Sequence, residues 1–416
     1  MRSENLSETA TLGHSDDAVR KEFMVFGAPA IGQAEIDEVV DTIRSGWLGT
    51  GPKTHRFEAN FASYIGCKHA LALSSCTAGL ELALDVLGVH PGDEVITTPM
   101  TFAATANVVA HRGARPVFVD VERDTMNIDP ELIEKAITPR TKAIMPVDMA
   151  GRPCDMDRIM GIASRHGLYV IQDAAHAAEA WHKGRKVGNI AHITAFSFYV
   201  TKNICTGEGG MLTTNDDRWA EELRVKSLHG ISKDAWKRYS AEGFQPYETI
   251  YPGYKFNMMD IQAAMGIHQL ARVESNLKIR ERYWSMYDEA FAGIPELTTP
   301  KRDLSGDSRH ARHLYTLLLD LDRLQFDRNG FIDAMKKENI GTGVHFTALH
   351  LHRYYQETFG HAPGDCPNAE WIGERTVSLP LSTKMTETDV ADVIRAVRKV
   401  IASAVKPRSQ PRGLTV

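Results

Sequence analysis

Apolar positions along the chain follow two periods. Ile36, Val39, Val40 and Ile43 recur at helical spacing, as do Leu80, Ala83, Leu84 and Leu87, so each set predicts a helix with one apolar face. Between and after them lie short unbroken apolar stretches: Val95-Ile96, Val117 to Val119, Ala143 to Val147, Tyr169 to Ile171 and Ile193 to Phe198. Strands this apolar are covered on both faces, which predicts an α/β protein with a mainly parallel sheet between helix layers. In such sheets ligands gather at the carboxyl ends of strands, where Asp173 and Ser197 stand. The pattern breaks from Ser227 to Phe256, a stretch rich in Lys, Tyr, Trp, Gly and Pro that reads as a long irregular loop. A long helix is predicted from about Met259 through Leu277. A strand over Leu314 to Leu319, a helix around Phe331 to Lys337 and a last helix near Val390 to Ile401 follow. The expected organisation is a large domain over 23–275, a small C-terminal α+β domain over 276–405, and loose tails at 1–22 and 406–416.

Composition narrows the class. The 416 residues are 24% charged with a formal net charge of -5, which gives no general reason to expect nucleic-acid binding. Five cysteines (Cys67, Cys76, Cys154, Cys205 and Cys366) are scattered, without a CxxC pair, so neither a disulfide framework nor a metal site is expected. A reducing cytoplasm fits them best. The N-terminus carries no apolar secretory core and no stretch is long enough to span a bilayer, so no membrane partner is expected.

Candidate chemistry concentrates in one region. Leu168-Tyr169-Val170-Ile171 ends in Gln172-Asp173-Ala174-Ala175-His176. Ala195-Phe196-Ser197-Phe198-Tyr199 leads to Thr201-Lys202-Asn203 and then Gly207-Glu208-Gly209-Gly210. An acid leaving a buried strand, a lysine behind a second strand and a glycine turn meet the needs of pyridoxal phosphate (PLP). The lysine holds that cofactor as a Schiff base, and the carboxylate keeps its pyridine nitrogen protonated. Lys202 must then be placed where burial or nearby cations lower its pKa. On position alone Asp173 fits a helix N-cap equally well; paired with Lys202 it reads as the ligand of the ring nitrogen. His176 fits a contact to the cofactor ring oxygen or a packed histidine. Ser74 to Gly79 joins a short strand to an amphipathic helix, and such a junction suits a phosphate, which places Ser75, Cys76, Thr77 and Ala78 in the cup. Phe102 follows another strand end, where it stacks on the ring or belongs to the core. Trp47 and Thr50, in the turn-rich Gly46 to Pro52, border a substrate entrance or form a plain connection. No GxGxxG follows the first strand, which argues against a dinucleotide-binding dehydrogenase.

These residues together resemble the DegT/DnrJ/EryC1/StrS aminotransferases, PLP-dependent sugar aminotransferases of fold type I. The resemblance runs from Gly27 to about Val400. It is carried by Ser45-Gly46-Trp47…Thr50-Gly51-Pro52, Ser74 to Gly79, Gly92-Asp93-Glu94-Val95-Ile96, Asp173-Ala174-Ala175-His176, Ser197-Phe198…Lys202-Asn203…Gly207-Glu208-Gly209-Gly210 and Gly253 to Asp260. It implies that Lys202 carries PLP, Asp173 binds the ring nitrogen and Phe102 stacks on the ring. Thr77, Ala78 and Ser197 would hold the phosphate, joined by Asn257 from the neighbouring subunit of a homodimer with a shared site. Cys76 stands where relatives often have a small residue, and no catalytic role is expected of it. The run Gly341 to Phe346, followed by His350-Leu351-His352, looks like the branch acting on the C4 ketone of nucleotide-linked sugars. His345, Phe346 and His350 would border the sugar, with Trp47, Thr50 and Tyr199 nearby. Glutamate is the implied amino donor. The dehydrase relatives carry histidine in place of the lysine, and Lys202 speaks against that chemistry. Alternatives are a 3-keto sugar or keto-inositol acceptor and, more remotely, a PLP-fold regulator without turnover.

Overall fold

The computed structural model describes residues 19–231, 248–302, 304 and 306–407. Most of both expected tails, and residues 232–247 of the expected irregular loop, lie outside the described residues.

A seven-stranded sheet forms the centre. Its strands are β1 (His69–Leu73), β2 (Glu94–Thr97), β3 (Arg115–Phe118), β4 (Thr141–Met145), β5 (Tyr169–Asp173), β8 (Ile193–Ser197) and β9 (Gly210–Thr214), with a small hairpin of β6 (Trp181–His182) and β7 (Arg185–Lys186) between β5 and β8. The spatial order is β1-β9-β8-β5-β4-β2-β3. Only β9 runs against its neighbours; β2, β3, β4, β5 and β8 pair in parallel. The apolar stretches of the sequence are these strands, buried because helices cover both faces. Register puts Asp173 opposite Ala195, so the ends of β5 and β8 lie side by side.

Helix Cys76–Val86 buries Leu80, Ala83 and Leu84 as the spacing predicts. Helix Gln33–Ser45 does the opposite. Its apolar positions Ile36 and Ile43 are 48% and 57% exposed, and its inner face is polar. There the fully buried Glu35 accepts from Gln269 Nε2 at 2.9 Å and pairs with Arg272. The same Arg272 interrupts the long helix expected after Met259. It leaves helical backbone (φ -110°, ψ 7°) while its side chain donates to the Ala30 carbonyl, so the chain forms two helices, Asp260–Ala271 and Val273–Phe291.

Beyond Phe291 a three-stranded antiparallel sheet of β10 (Leu297–Thr298), β11 (Tyr315–Leu319) and β12 (Thr376–Leu379) packs with helices Arg328–Lys337 and Glu387–Ala404. Trp284, Tyr287, Tyr315, Phe331 and Val397 form its core. No helix among the described residues is long and apolar enough to cross a membrane.

Candidate active site

The site forms where the parallel strands end. Asp173 closes β5, Ser197 closes β8, and β1 leads through Ser74 and Ser75 into helix Cys76–Val86. Because β9 runs in the opposite sense, its first residue, Gly210, lies at this same end. A side-chain carbon at Gly210 would overlap the backbone of Ser75 and Cys76, so only glycine lets the strand pass this close to the cup. A cavity of about 740 Å³ opens here.

Ser75, Cys76, Thr77 and Ser197 line one end of the cavity, and Asp173, His176 and Lys202 its depth. Phe102, Tyr199, His345 and Phe346 line it as well, with Phe102 66% exposed at the mouth. The Ser75 hydroxyl accepts from Ala78 N–H at 3.0 Å, which spends the Ala78 donor. The Cys76 and Thr77 N–H groups are the other donors at this helix start.

Asp173 is buried and held by Thr105 Oγ1 at 2.8 Å and Ala175 N–H at 3.1 Å, with Cys76 Sγ 4.0 Å from its Oδ1. Thr101 and Thr105 hydroxyls are 2.7 Å apart behind it. Burial pushes its carboxyl up, against the Thr105 and Ala175 hydrogen bonds that hold it down. The Lys202 amine makes no hydrogen bond among the described residues, and burial lowers its pKa to about 8. The His176 ring lies at 13° to Phe346, with its Nδ1 buried and unpartnered. Burial, with Lys202 close by, keeps His176 neutral and brings His345 down to about 4.

Several expected site residues lie elsewhere. His350 is fully buried and bonded to Glu370 Oε1 at 2.9 Å, away from the cavity wall, so it does not border the sugar pocket. Asn257, Thr50 and Trp47 form a separate group outside the cavity of their own chain: Asn257 Nδ2 donates to Thr50 Oγ1 at 2.7 Å, and Trp47 Nε1 to the Thr50 carbonyl at 3.2 Å. The sequence reading missed Thr105 and Phe26, both on the cavity wall. Thr105 stands out from the sequence no more than any other helical threonine. Phe26 gave no signal, since only the fold brings it to 5.5 Å from His345.

The sequence profile of the DegT/DnrJ/EryC1/StrS aminotransferase family matches residues 29–398. The chain belongs to this family. The spore coat polysaccharide biosynthesis protein SpsC of Bacillus subtilis is 52% identical over 386 residues, 92% of this chain and 99% of the relative. The putative sugar aminotransferase Spr1654 from Streptococcus pneumoniae, in its PMP form, superposes with a TM-score of 0.85 at 36% identity, covering 92% of this chain and 98% of that one. Helicobacter pylori PseC, an aminotransferase involved in the biosynthesis of pseudoaminic acid, gives 0.86 at 30% identity, covering 92% and 100%.

This family member is thus a PLP-dependent sugar aminotransferase. The cavity fits the cofactor: an unpartnered buried amine, a carboxylate fixed by two donors, an orphaned imidazole nitrogen and open N–H groups at a helix start.

Proposed function

We propose that the enzyme moves an amino group from glutamate to the C4 ketone of a nucleotide-linked keto sugar, as a cytoplasmic homodimer. What carries this reading is the aromatic mouth above Lys202. Phe26, Phe102, Tyr199 and Phe346 offer apolar faces to a sugar ring, with neutral His345 beside them and room for a nucleotide to extend outward. His345 and Phe346, from the run that resembles the C4 branch, lie on this wall. The biosynthetic roles in the names of SpsC and PseC support a glycan substrate.

The bound cofactor supplies an aldehyde that takes up the amine and a ring that spreads the negative charge left when a proton is removed. Lys202 would carry it, Asp173 would face its ring nitrogen, and Ser75, Thr77 and Ser197 would take its phosphate. Lys202 Nζ accepts the substrate proton when neutral and returns it to the adjoining carbon; an amine that titrates near 8 serves both directions. Asp173 stays where Thr105 and Ala175 hold it and supplies negative charge. The neutral imidazoles of His176 and His345 add no competing charge.

The dimer is supported by apolar side chains left open in one chain, among them Ile36, Ile43, Trp47 and Leu48. The Asn257–Thr50 pair, outside its own cavity, is available to a partner's. Turnover of glutamate with 4-keto, 3-keto and inosose acceptors tests the assignment. The 4-keto sugar nucleotide is expected to react fastest by at least about tenfold, one order being about 1.4 kcal/mol of transition-state preference; a faster 3-keto or inosose acceptor refutes it.

A further inference from the structure

Behind the cavity runs a chain of polar side chains that the cofactor chemistry does not use. Asn203, next to Lys202, donates both amide hydrogens: to Glu179 Oε2 at 2.9 Å and to the Ala311 carbonyl at 3.1 Å. Those partners only accept, so the orientation of the amide is fixed and its oxygen faces away from them. That oxygen lies 2.9 Å from His313 Nδ1. An amide oxygen cannot donate, so Nδ1 of His313 carries the proton.

The far end of the chain is rigid. Glu179 is fully buried and paired with Arg280, which also donates to the Arg312 carbonyl at 3.1 Å. Arg309 holds the Glu179 carbonyl at 2.7 Å. A carboxylate this deep needs both Arg280 and Asn203, which leaves Asn203 little freedom. At the near end the His313 ring packs on His176, centroids 4.5 Å apart at 34°. The Lys202 backbone N–H is bonded to the Tyr199 carbonyl at 2.8 Å, so the loop bearing the amine is pinned on either side of it.

We propose that Asn203 is a positioning residue: anchored on the Glu179–Arg280 pair, it fixes the loop that carries Lys202 and sets the tautomer of His313 against His176. Its kinetic consequence rests on Lys202 being the cofactor lysine; the tautomer stands without it.

Protein labelled with nitrogen-15 histidine, with and without PLP, reports the tautomer by long-range proton–nitrogen correlation, His313 being assigned by its loss in His313→Gln. The Nδ1–H form is expected in both states, neutral at pH 6.5 because burial lowers the pKa of this ring. In the holoenzyme, Asn203→Ala and His313→Leu are each expected to lower kcat about tenfold with the glutamate KM within about twofold, and to move the pH titration of the bound chromophore. His313→Gln keeps a donor toward Asn203 and should recover most of the loss. An Nε2–H tautomer in the wild type overturns the proposal, even if the wild type fails to turn over glutamate. So does Asn203→Ala with wild-type kcat and an unmoved titration. Should Asn203→Ala not fold, equal kcat in His313→Leu and His313→Gln overturns it alone.

Discussion

Replacing Lys202 with methionine removes turnover and should at the same time stabilise the cofactor-free protein. The Lys202 amine lies deep in the cavity with no hydrogen-bond partner among the described residues, and burial lowers its pKa from the ordinary 10.5 to about 8. At about 1.4 kcal/mol per tenfold, charging this amine in the folded protein costs at most about 3 kcal/mol more than in the unfolded chain, less whatever water in the open cavity returns. Methionine fills similar volume without a charge. Below about pH 8 the wild-type lysine is charged in both states and folding carries the full cost. Between about 8 and 10.5 the unfolded chain binds more protons than the folded one, so wild-type stability rises with pH. The advantage of Lys202→Met should therefore be close to 3 kcal/mol at pH 7 and shrink to about 1 kcal/mol at pH 10. Urea unfolding of both cofactor-free proteins at the two pH values measures it, and the difference between variants cancels the titrating groups that do not interact with Lys202. An advantage that is absent at pH 7, or equal at both pH values, refutes the desolvated amine.

Other outcomes follow from single contacts. Thr105→Val takes the 2.8 Å donor from Asp173 and should cut kcat by about tenfold while leaving PLP content unchanged, read by steady-state kinetics and absorbance. Gly210→Ala forces a methyl into the Ser75–Cys76 backbone and should lower PLP affinity by about tenfold or more, measured by titrating PLP into the cofactor-free protein. Ile36→Asp combined with Ile43→Asp changes two exposed side chains, so the monomer should fold with native circular dichroism. Sedimentation velocity should show it shifted from dimer to monomer, with turnover lost. An unchanged dimer would remove the interface assigned to that helix.

Parts of this architecture are plain in the residues because the physics behind them is local. β5 and β8 announce themselves as apolar runs, since a parallel strand is buried on both faces. Asp173 and Lys202 stand out because each follows such a run. What escapes local reading is set by partners far along the chain. The helix Gln33–Ser45 hides Glu35 because Gln269 and Arg272 satisfy it, more than 200 residues away, and its apolar side is thereby turned outward. His350 resembles a pocket residue until Glu370 is seen to hold it in the interior. Thr105 reads as an ordinary helical threonine, and only the closeness of the β5 end to helix Ala103–His111 gives it the Asp173 carboxylate.

The same comparison of partners explains how one cavity supports the charged form of an acid and not that of an amine. Burial pushes both Asp173 and Lys202 toward their uncharged forms. The chain answers that push for one of them only. A strand-end N–H, a helix hydroxyl itself backed by Thr101 and, more distantly, the Cys76 thiol converge on the carboxylate, while among the described residues nothing bonds the amine. The surrounding groups keep to the same division: the Cys76 thiol is raised well out of reach of ionisation, and His176, His313 and His345 are all lowered into their neutral forms. Asp173 is thus the group whose charged form the chain supports, at the position where it would face the cofactor's ring nitrogen. It follows that Cys76→Ser, which sets a stronger donor where the thiol now faces Asp173 Oδ1 at 4.0 Å, should disturb catalysis by retuning this division even though it touches no substrate. A pH–rate profile indistinguishable from wild type would show that the donors around the carboxylate are not what sets it.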